Sequence, residues 1–183
     1  VTGGCDLDAD GHADLVIGAP SHSPGPDRYL GGAYYVYFGP GLEEARRVKM
    51  PATAGTGILG FSSACGDVDG DGRDDLVTAA IWTHGVIWHA SKVLVHYGKA
   101  GFAPDADAAD VTIDSTKGHF GDALAVLGDL DGDGYRDLAI GLPEFYAIPT
   151  PSTTNPMTTL KGRVFVVKGG AGTRSINLSP AVG

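Results

Sequence analysis

The stretch DLDGDGYRDL, residues 129–138, sets four aspartates into ten positions. Carboxylates this close repel one another unless a counter-charge holds them together. Apolar, strand-like sequence flanks the stretch on both sides, DALAVLG (residues 122–128) before it and LAIGLP (residues 138–143) after it. The same pattern occurs twice more, as DLDADGHADL (residues 6–15) and DVDGDGRDDL (residues 67–76). Three copies of Asp-apolar-Asp-x-Asp-Gly-x-x-Asp-Leu at near-constant spacing define an internal repeat of about 60 residues, and a repeat decides the architecture before any single element does.

The flanks repeat as well. After each aspartate segment comes an apolar run: LVIGAP (15–20), LVTAAI (76–81) and LAIGLP (138–143). Then come GGAYYVYFG (31–39), SKVLVHYG (91–98) and GRVFVVKGG (162–170), and last ARRVKM (45–50), ADVTIDS (109–115) and RSINLS (174–179). These pieces are short, rich in Val, Ile, Tyr and Phe, and separated by Gly, Pro or Asp, which is the signature of strands. No window sustains an apolar period of 3.6; only GLEEARR (41–47) has the composition of a helical turn. The expectation is an all-β chain of three propeller blades, each of four antiparallel strands, covering about 1–55, 56–116 and 117–183.

The aspartate segments have the chemistry of a hard-cation site. Calcium takes six to eight oxygen ligands. Alternating carboxylates at loop positions 1, 3 and 5 can converge on one ion, Gly at position 6 lets the chain reverse, and position 9 closes the shell. The predicted ligands are Asp6, Asp8, Asp10 and Asp14; Asp67, Asp69, Asp71 and Asp75; and Asp129, Asp131, Asp133 and Asp137. His12, Arg73 and Tyr135 at position 7 would contribute backbone carbonyls, which their unlike side chains suit. An EF-hand needs Glu at position 12; Ile17, Thr78 and Ile140 stand there. A phosphatase-type aspartate pair would occur once and not three times. Three Ca2+ ions would offset six units of the formal net charge of -9. Loops of this kind in extracellular modules bind at roughly 0.1–1 mM, which points to a secreted or surface location.

Composition sets the remaining bounds. A chain of 183 residues with 43% hydrophobic and 19% charged residues has the makeup of one globular domain or part of a larger one. Its acidity argues against nucleic acid and anionic membranes as partners. No apolar run approaches the length of a membrane-spanning helix, so no membrane insertion is expected. Two cysteines, Cys5 and Cys65, are too few for a disulfide scaffold or a cysteine zinc site. Both precede aspartate segments at the ends of predicted first strands, and the sequence leaves open whether they pair. Asn177-Leu178-Ser179 satisfies the glycosylation sequon.

Phe-Gly, then the aspartate loop, then Gly-Ala-Pro is an order that resembles the FG-GAP repeat of integrin alpha-chain heads and of many bacterial secreted proteins. Phe120-Gly121 matches the FG element, and Phe61-Ser62 is its imperfect counterpart. Gly18-Ala19-Pro20 matches GAP fully, Gly141-Leu142-Pro143 in part, and Thr78-Ala79-Ala80 departs from it. The resemblance implies a calcium-binding propeller, with its calcium loops on one face and its ligand contacts on the other. Such propellers have more than three blades. The chain is therefore expected either to be part of a longer one with the remaining blades, or to be completed by copies of itself as a homo-oligomer.

The connections opposite the aspartate loops differ among the copies, and variable loops on a rigid scaffold are where binding concentrates. Trp82, His84, Trp88 and His89 in WTHGVIWHA, with Phe145 and Tyr146 in the long third connection, are the candidate ligand contacts; packing of both tryptophans between blades is the alternative. No nucleophile elbow or zinc-protease motif occurs, and only Glu43, Glu44 and Glu144 supplement the aspartates. The resulting expectation is a non-catalytic, extracellular calcium-binding module for adhesion to a protein or glycan. A scaffold part of a secreted carbohydrate-active enzyme and a subunit assembling through blade edges are its rivals.

Overall fold

The computed structural model describes residues 1–22, 31–42, 48–51, 58–81, 83–84, 87–88, 91–115, 119–143, 162–172 and 174–177. All of the regular structure among them is β. The first sheet runs β1 (Thr2–Cys5), β2 (Asp14–Ala19), β3 (Ala33–Tyr37) and β4 (Val48–Pro51), in that order and antiparallel throughout. The second is built on β5 (Ile58–Gly66) and β6 (Asp75–Ile81). A two-stranded hairpin follows, β7 (Thr83–His84) with β8 (Ile87–Trp88). The second sheet then resumes with β9 (Ser91–His96) and β10 (Val111–Ser115), also antiparallel. The third contains β11 (Ala123–Val126), β12 (Leu138–Leu142) and β13 (Arg163–Val167).

Among the described residues, three up-and-down sheets lie side by side and do not close into a ring. Strand alternation explains the packing, because successive side chains leave opposite faces of a strand. On β6, Leu76 and Ala80 enter a cluster with Val16, Tyr34, Val36 and Met50 of the first sheet. Val77 between them enters another with Phe120, Leu138 and Ile140 of the third. On β9, Leu94 faces the first cluster while Val93 and Val95 face the second. The middle sheet is thus covered on both faces, and every residue of β6 is buried. Each fully buried Leu, Val or Ile contributes about 1.5–3 kcal/mol.

The expected four strands are present in the first two sheets. The third departs from that count. Its would-be fourth strand, β14 (Arg174–Asn177), pairs in parallel with β10 at the far edge of the middle sheet. An exposed strand edge offers unpaired N–H and C=O groups. Here Ile176 sits in register with Ile113 and packs against the apolar cluster beneath it.

The FG element also lies elsewhere than the sequence placed it in the middle sheet. A register shift between Leu59 and Ser63 displaces it, so that Leu59-Gly60 occupies the place that Phe120-Gly121 holds in the third sheet. Leu59 and Phe120 are both fully buried, whereas Phe61 is 52% exposed. Gly60 and Gly121 share positive φ, 104° and 96°. Each packs against β2 or β6 of the preceding sheet: a methyl on Gly60 would meet Ala19 N at 2.7 Å, and one on Gly121 would meet Ala79 Cβ at 2.9 Å. Cys5 and Cys65 form a disulfide between β1 and β5, with Cα atoms 6.2 Å apart.

Candidate metal centre

Each aspartate loop joins the first strand of its sheet to the second, so all three loops lie at the same end of the stack. The first aspartate organises the loop by accepting backbone N–H groups on both oxygens. Asp6 accepts from Asp10 (3.0 Å) and Gly11 (2.8 Å), Asp67 from Gly70 (2.7 Å) and Gly72 (3.0 Å), and Asp129 from Gly132 (2.7 Å) and Gly134 (2.9 Å). The aspartate at position 5 accepts from the N–H of position 7, where His12, Arg73 and Tyr135 stand. Positions 4 and 6 both need left-handed backbone. Position 6 is glycine in every loop, with φ of 85°, 88° and 92°. Position 4 is Gly70 and Gly132 in two loops and Ala9, at φ 61°, in the first.

This folding converges carboxylates. In each of the groups Asp6/Asp8/Asp10, Asp67/Asp69/Asp71 and Asp129/Asp131/Asp133, one oxygen per residue lies within 4.8 Å of the others. The crowding shows in the electrostatics. Burial, with repulsion from Asp71 and Asp67, pushes the Asp69 carboxyl above its usual range. Side-chain cations approach two of the groups: Arg73 pairs with Asp71 at 2.7 Å, and Lys168 pairs with Asp131, holding that carboxyl below its usual range. An all-oxygen donor set whose three carboxylates outnumber any side-chain cation that reaches them, on a backbone whose N–H groups already point to the carboxylates, fits a hard divalent cation.

The aspartates at position 9 are placed differently. Asp14 and Asp75 are buried at the loop base, and Asp137 with them. Each spans two backbone donors. Asp14 accepts from Leu7 (2.8 Å) and Gly39 (3.0 Å), Asp75 from Val68 (2.8 Å) and Gly98 (2.9 Å), and Asp137 from Leu130 (3.0 Å) and Gly169 (3.1 Å). A carboxylate has about four lone-pair sites, so each keeps acceptor capacity after these two bonds. Burial raises Asp14 and pushes Asp75 up to about 7 against the pull of the backbone N–H groups that donate to each.

The sequence reading missed the glycine that ends each third strand. Gly39, Gly98 and Gly169 receive the loop so closely that a methyl on Gly98 would stand 2.2 Å from the Asp74 carbonyl oxygen. The signal was present, since YFG, HYG and VKG recur at the same place. Lys168 left no repeated signal, because Phe38 and Tyr97 occupy its place in the other copies.

Of the candidate ligand contacts, the described residues include only His84 and Trp88. His84 and Trp88 lie on the β7–β8 hairpin, paired with Ile87 and Thr83. Their side chains, and Trp82, His89, Phe145 and Tyr146 entirely, lie outside the described residues.

Side-by-side up-and-down sheets with an acidic loop after each first strand define a bladed, propeller-type repeat protein. Comparison with known families agrees: a model of the FG-GAP-like repeat matches residues 6–78, and one of the FG-GAP repeat matches residues 120–167. The chain belongs to the FG-GAP repeat family, in its integrin-alpha-like form. It is 31% identical over 151 residues to integrin alpha-PS5 of Drosophila melanogaster, covering 78% of this chain and 14% of that protein. It is 32% identical over 155 residues to the phosphatidylinositol-glycan-specific phospholipase D of Rattus norvegicus, covering 78% of this chain and 18% of that protein. Human integrin alpha-IIb is 38% identical over 94 residues, 46% of this chain and 9% of that protein. The chain therefore spans less than a fifth of the length of these relatives. Both an integrin subunit and an enzyme are among them, and the integrin relatives fit a binding module.

Proposed function

We propose that the three loops each bind Ca2+ and that the chain is a non-catalytic, extracellular propeller segment that presents its opposite end to a protein or glycan. The observation that carries this reading is the threefold convergence of carboxylate oxygens within 4.8 Å. Positions 1, 3 and 5, with the position 7 carbonyl and the remaining acceptor capacity at position 9, supply the oxygen shell. When bound, the ion neutralises the loop and ties the first strand to the second. The Cys5–Cys65 disulfide supports an oxidising compartment. The ligand contacts proposed on the opposite end are those around Trp82, His84, Trp88, His89, Phe145 and Tyr146.

Thermal melting in excess chelator and in millimolar calcium tests the metal reading. Calcium should raise the midpoint, since it binds the folded loops and not the unfolded chain, and titration calorimetry should show three sites. Equal midpoints in the two conditions would exclude it. The scaffold-of-an-enzyme reading draws on one observation, the phospholipase D relative; there the repeats would support catalysis carried elsewhere.

A further inference from the structure

The three loops are wired to one another by backbone hydrogen bonds that run from sheet to sheet. In the first loop the Leu7 N–H is held by Asp14, and the Leu7 carbonyl accepts the N–H of Lys99 at 3.0 Å. Lys99 follows Gly98, whose own N–H is held by Asp75 of the second loop. Asp75 also holds Val68, and the Val68 carbonyl accepts the N–H of Gly170 at 2.8 Å. Gly170 follows Gly169, held by Asp137 of the third loop. A second link joins the first two loops, from the Asp6 N–H to the Asp74 carboxylate at 3.1 Å. The spacing has no slack: a methyl on Gly98 would lie 3.3 Å from the Leu7 oxygen, and one on Gly169 would lie 2.8 Å from the Val68 oxygen.

We propose that Asp14, Asp75 and Asp137 are positioning residues that couple the loops in series, so that an ion in one loop tightens ion binding in the loop of the neighbouring sheet. Position 2 is the shared element. Leu7 and Val68 are buried at 0% and 5% exposure between sheets. The fourth aspartate fixes the N–H of this residue, and the next sheet fixes its carbonyl. An ion that orders positions 1, 3 and 5 therefore also orders position 2, and through it the Gly-x turn against which the next loop is built. A second ion then meets a loop already partly ordered, which is positive coupling without a large movement. Coupling of this kind is reciprocal, so the second loop must affect the first by the same factor. The proposal rests on the loops being calcium sites, and the experiment separates the two.

The test is a calcium titration of the whole chain followed by amide hydrogen exchange, read separately on peptides covering residues 67–76 and 129–138. Asp8→Asn with Asp10→Asn disables the first loop. The second-loop midpoint should then rise about fivefold or more, the lower range of measured couplings, and the third-loop midpoint by less. Lys99→Pro deletes the N–H that Leu7 accepts; the first sheet already carries Gly39-Pro40 at this place. It should reproduce the second-loop shift with the first loop intact. Combined with the loop-disabling pair it should add nothing further, a non-additivity that a general loss of stability would not give. Should Lys99→Pro fail to fold in chelator, Asp74→Ala, which removes the second link, takes its place. A second-loop midpoint unchanged by disabling the first loop overturns the coupling while leaving calcium binding intact. Absence of calcium-dependent protection at any loop in the unmodified chain overturns the calcium reading and the coupling with it.

Discussion

Gly18 and Gly60 face each other across the first two sheets so closely that a methyl group on Gly18 would lie 2.2 Å from the Gly60 carbonyl oxygen. The GAP glycine of one sheet and the FG-type glycine of the next are thus two sides of one contact. No rotamer change can relieve a methyl-to-backbone clash, so the sheets themselves must separate. Gly18→Ala should destabilise the chain by about 2 kcal/mol or more, in the range of overpacked buried sites. Gly141→Ala, at the counterpart position in the third sheet, should be milder, because its methyl would come no nearer than 3.1 Å, to Ala123 Cβ, with the Ala123 backbone at 3.5 Å or more. Urea unfolding of the two variants checks the ranking, and equal effects would contradict it.

Ala9 makes the first loop the strained one. It holds φ 61° where the other two loops use glycine. A side chain in left-handed backbone costs roughly 1–2 kcal/mol, partly offset by the extra freedom glycine gives the unfolded chain. Ala9→Gly should therefore stabilise the chain by about 0.5–1 kcal/mol, without loss of calcium response. A drop in melting temperature would refute this account of the position.

The disulfide joins residues 60 positions apart in sequence. Closing a loop of that length removes chain entropy from the unfolded state equivalent to about 4 kcal/mol. Cys5→Ser with Cys65→Ser, or reduction, should lower stability by up to that amount, read by urea denaturation with and without reductant. Because the bond ties β1 to β5, exchange protection should fall at the contact of the first two sheets before it falls in the third.

His96 gives the chain a pH dependence of definite sign. Its Nε2 donates to the Asp105 carbonyl at 2.8 Å, and among the described residues its buried Nδ1 meets no hydrogen-bond partner. Burial holds its pKa below the ordinary 6.5, so the folded state keeps the neutral ring where the unfolded chain binds a proton. The associated stability is fully present above pH 6.5 and is lost as pH falls below it toward the lowered folded-state pKa. Asp75, pushed up to about 7, works in the opposite sense over the same interval, so the His96 share is read as a difference: below pH 6.5 the parent chain should lose midpoint relative to His96→Gln. An unchanged slope in the variant would assign the effect to other groups.

The sequence disclosed what repeats. The aspartate loops, their glycines and the apolar segments around them recur in order, and a recurring pattern needs no knowledge of packing to be seen. It misplaced what depends on register. Phe61 looked like the FG phenylalanine because it is aromatic, but the irregularity between Leu59 and Ser63 turns it outward and gives its place to Leu59. It also kept RSINLS with the third sheet, since chain order was the only guide. The open edge of β10 and the fit of Ile176 against Ile113 are properties of folded neighbours. The second duty of Asp14, Asp75 and Asp137 was hidden for the same reason: a carboxylate shows in a sequence, and the two N–H groups it bridges do not.

The placement of β14 carries an implication for how the chain is made. Residues 58–115 supply four strands of the middle sheet, residues 119–167 build its neighbour, and only then does Arg174–Asn177 return to cover β10. In synthesis from the ribosome, the middle sheet waits with one flank bare while the whole of the next is translated. That interval is when a strand from another nascent copy could be captured in its place. Expression at high local concentration is thus the condition under which this arrangement would exchange the strand between two copies.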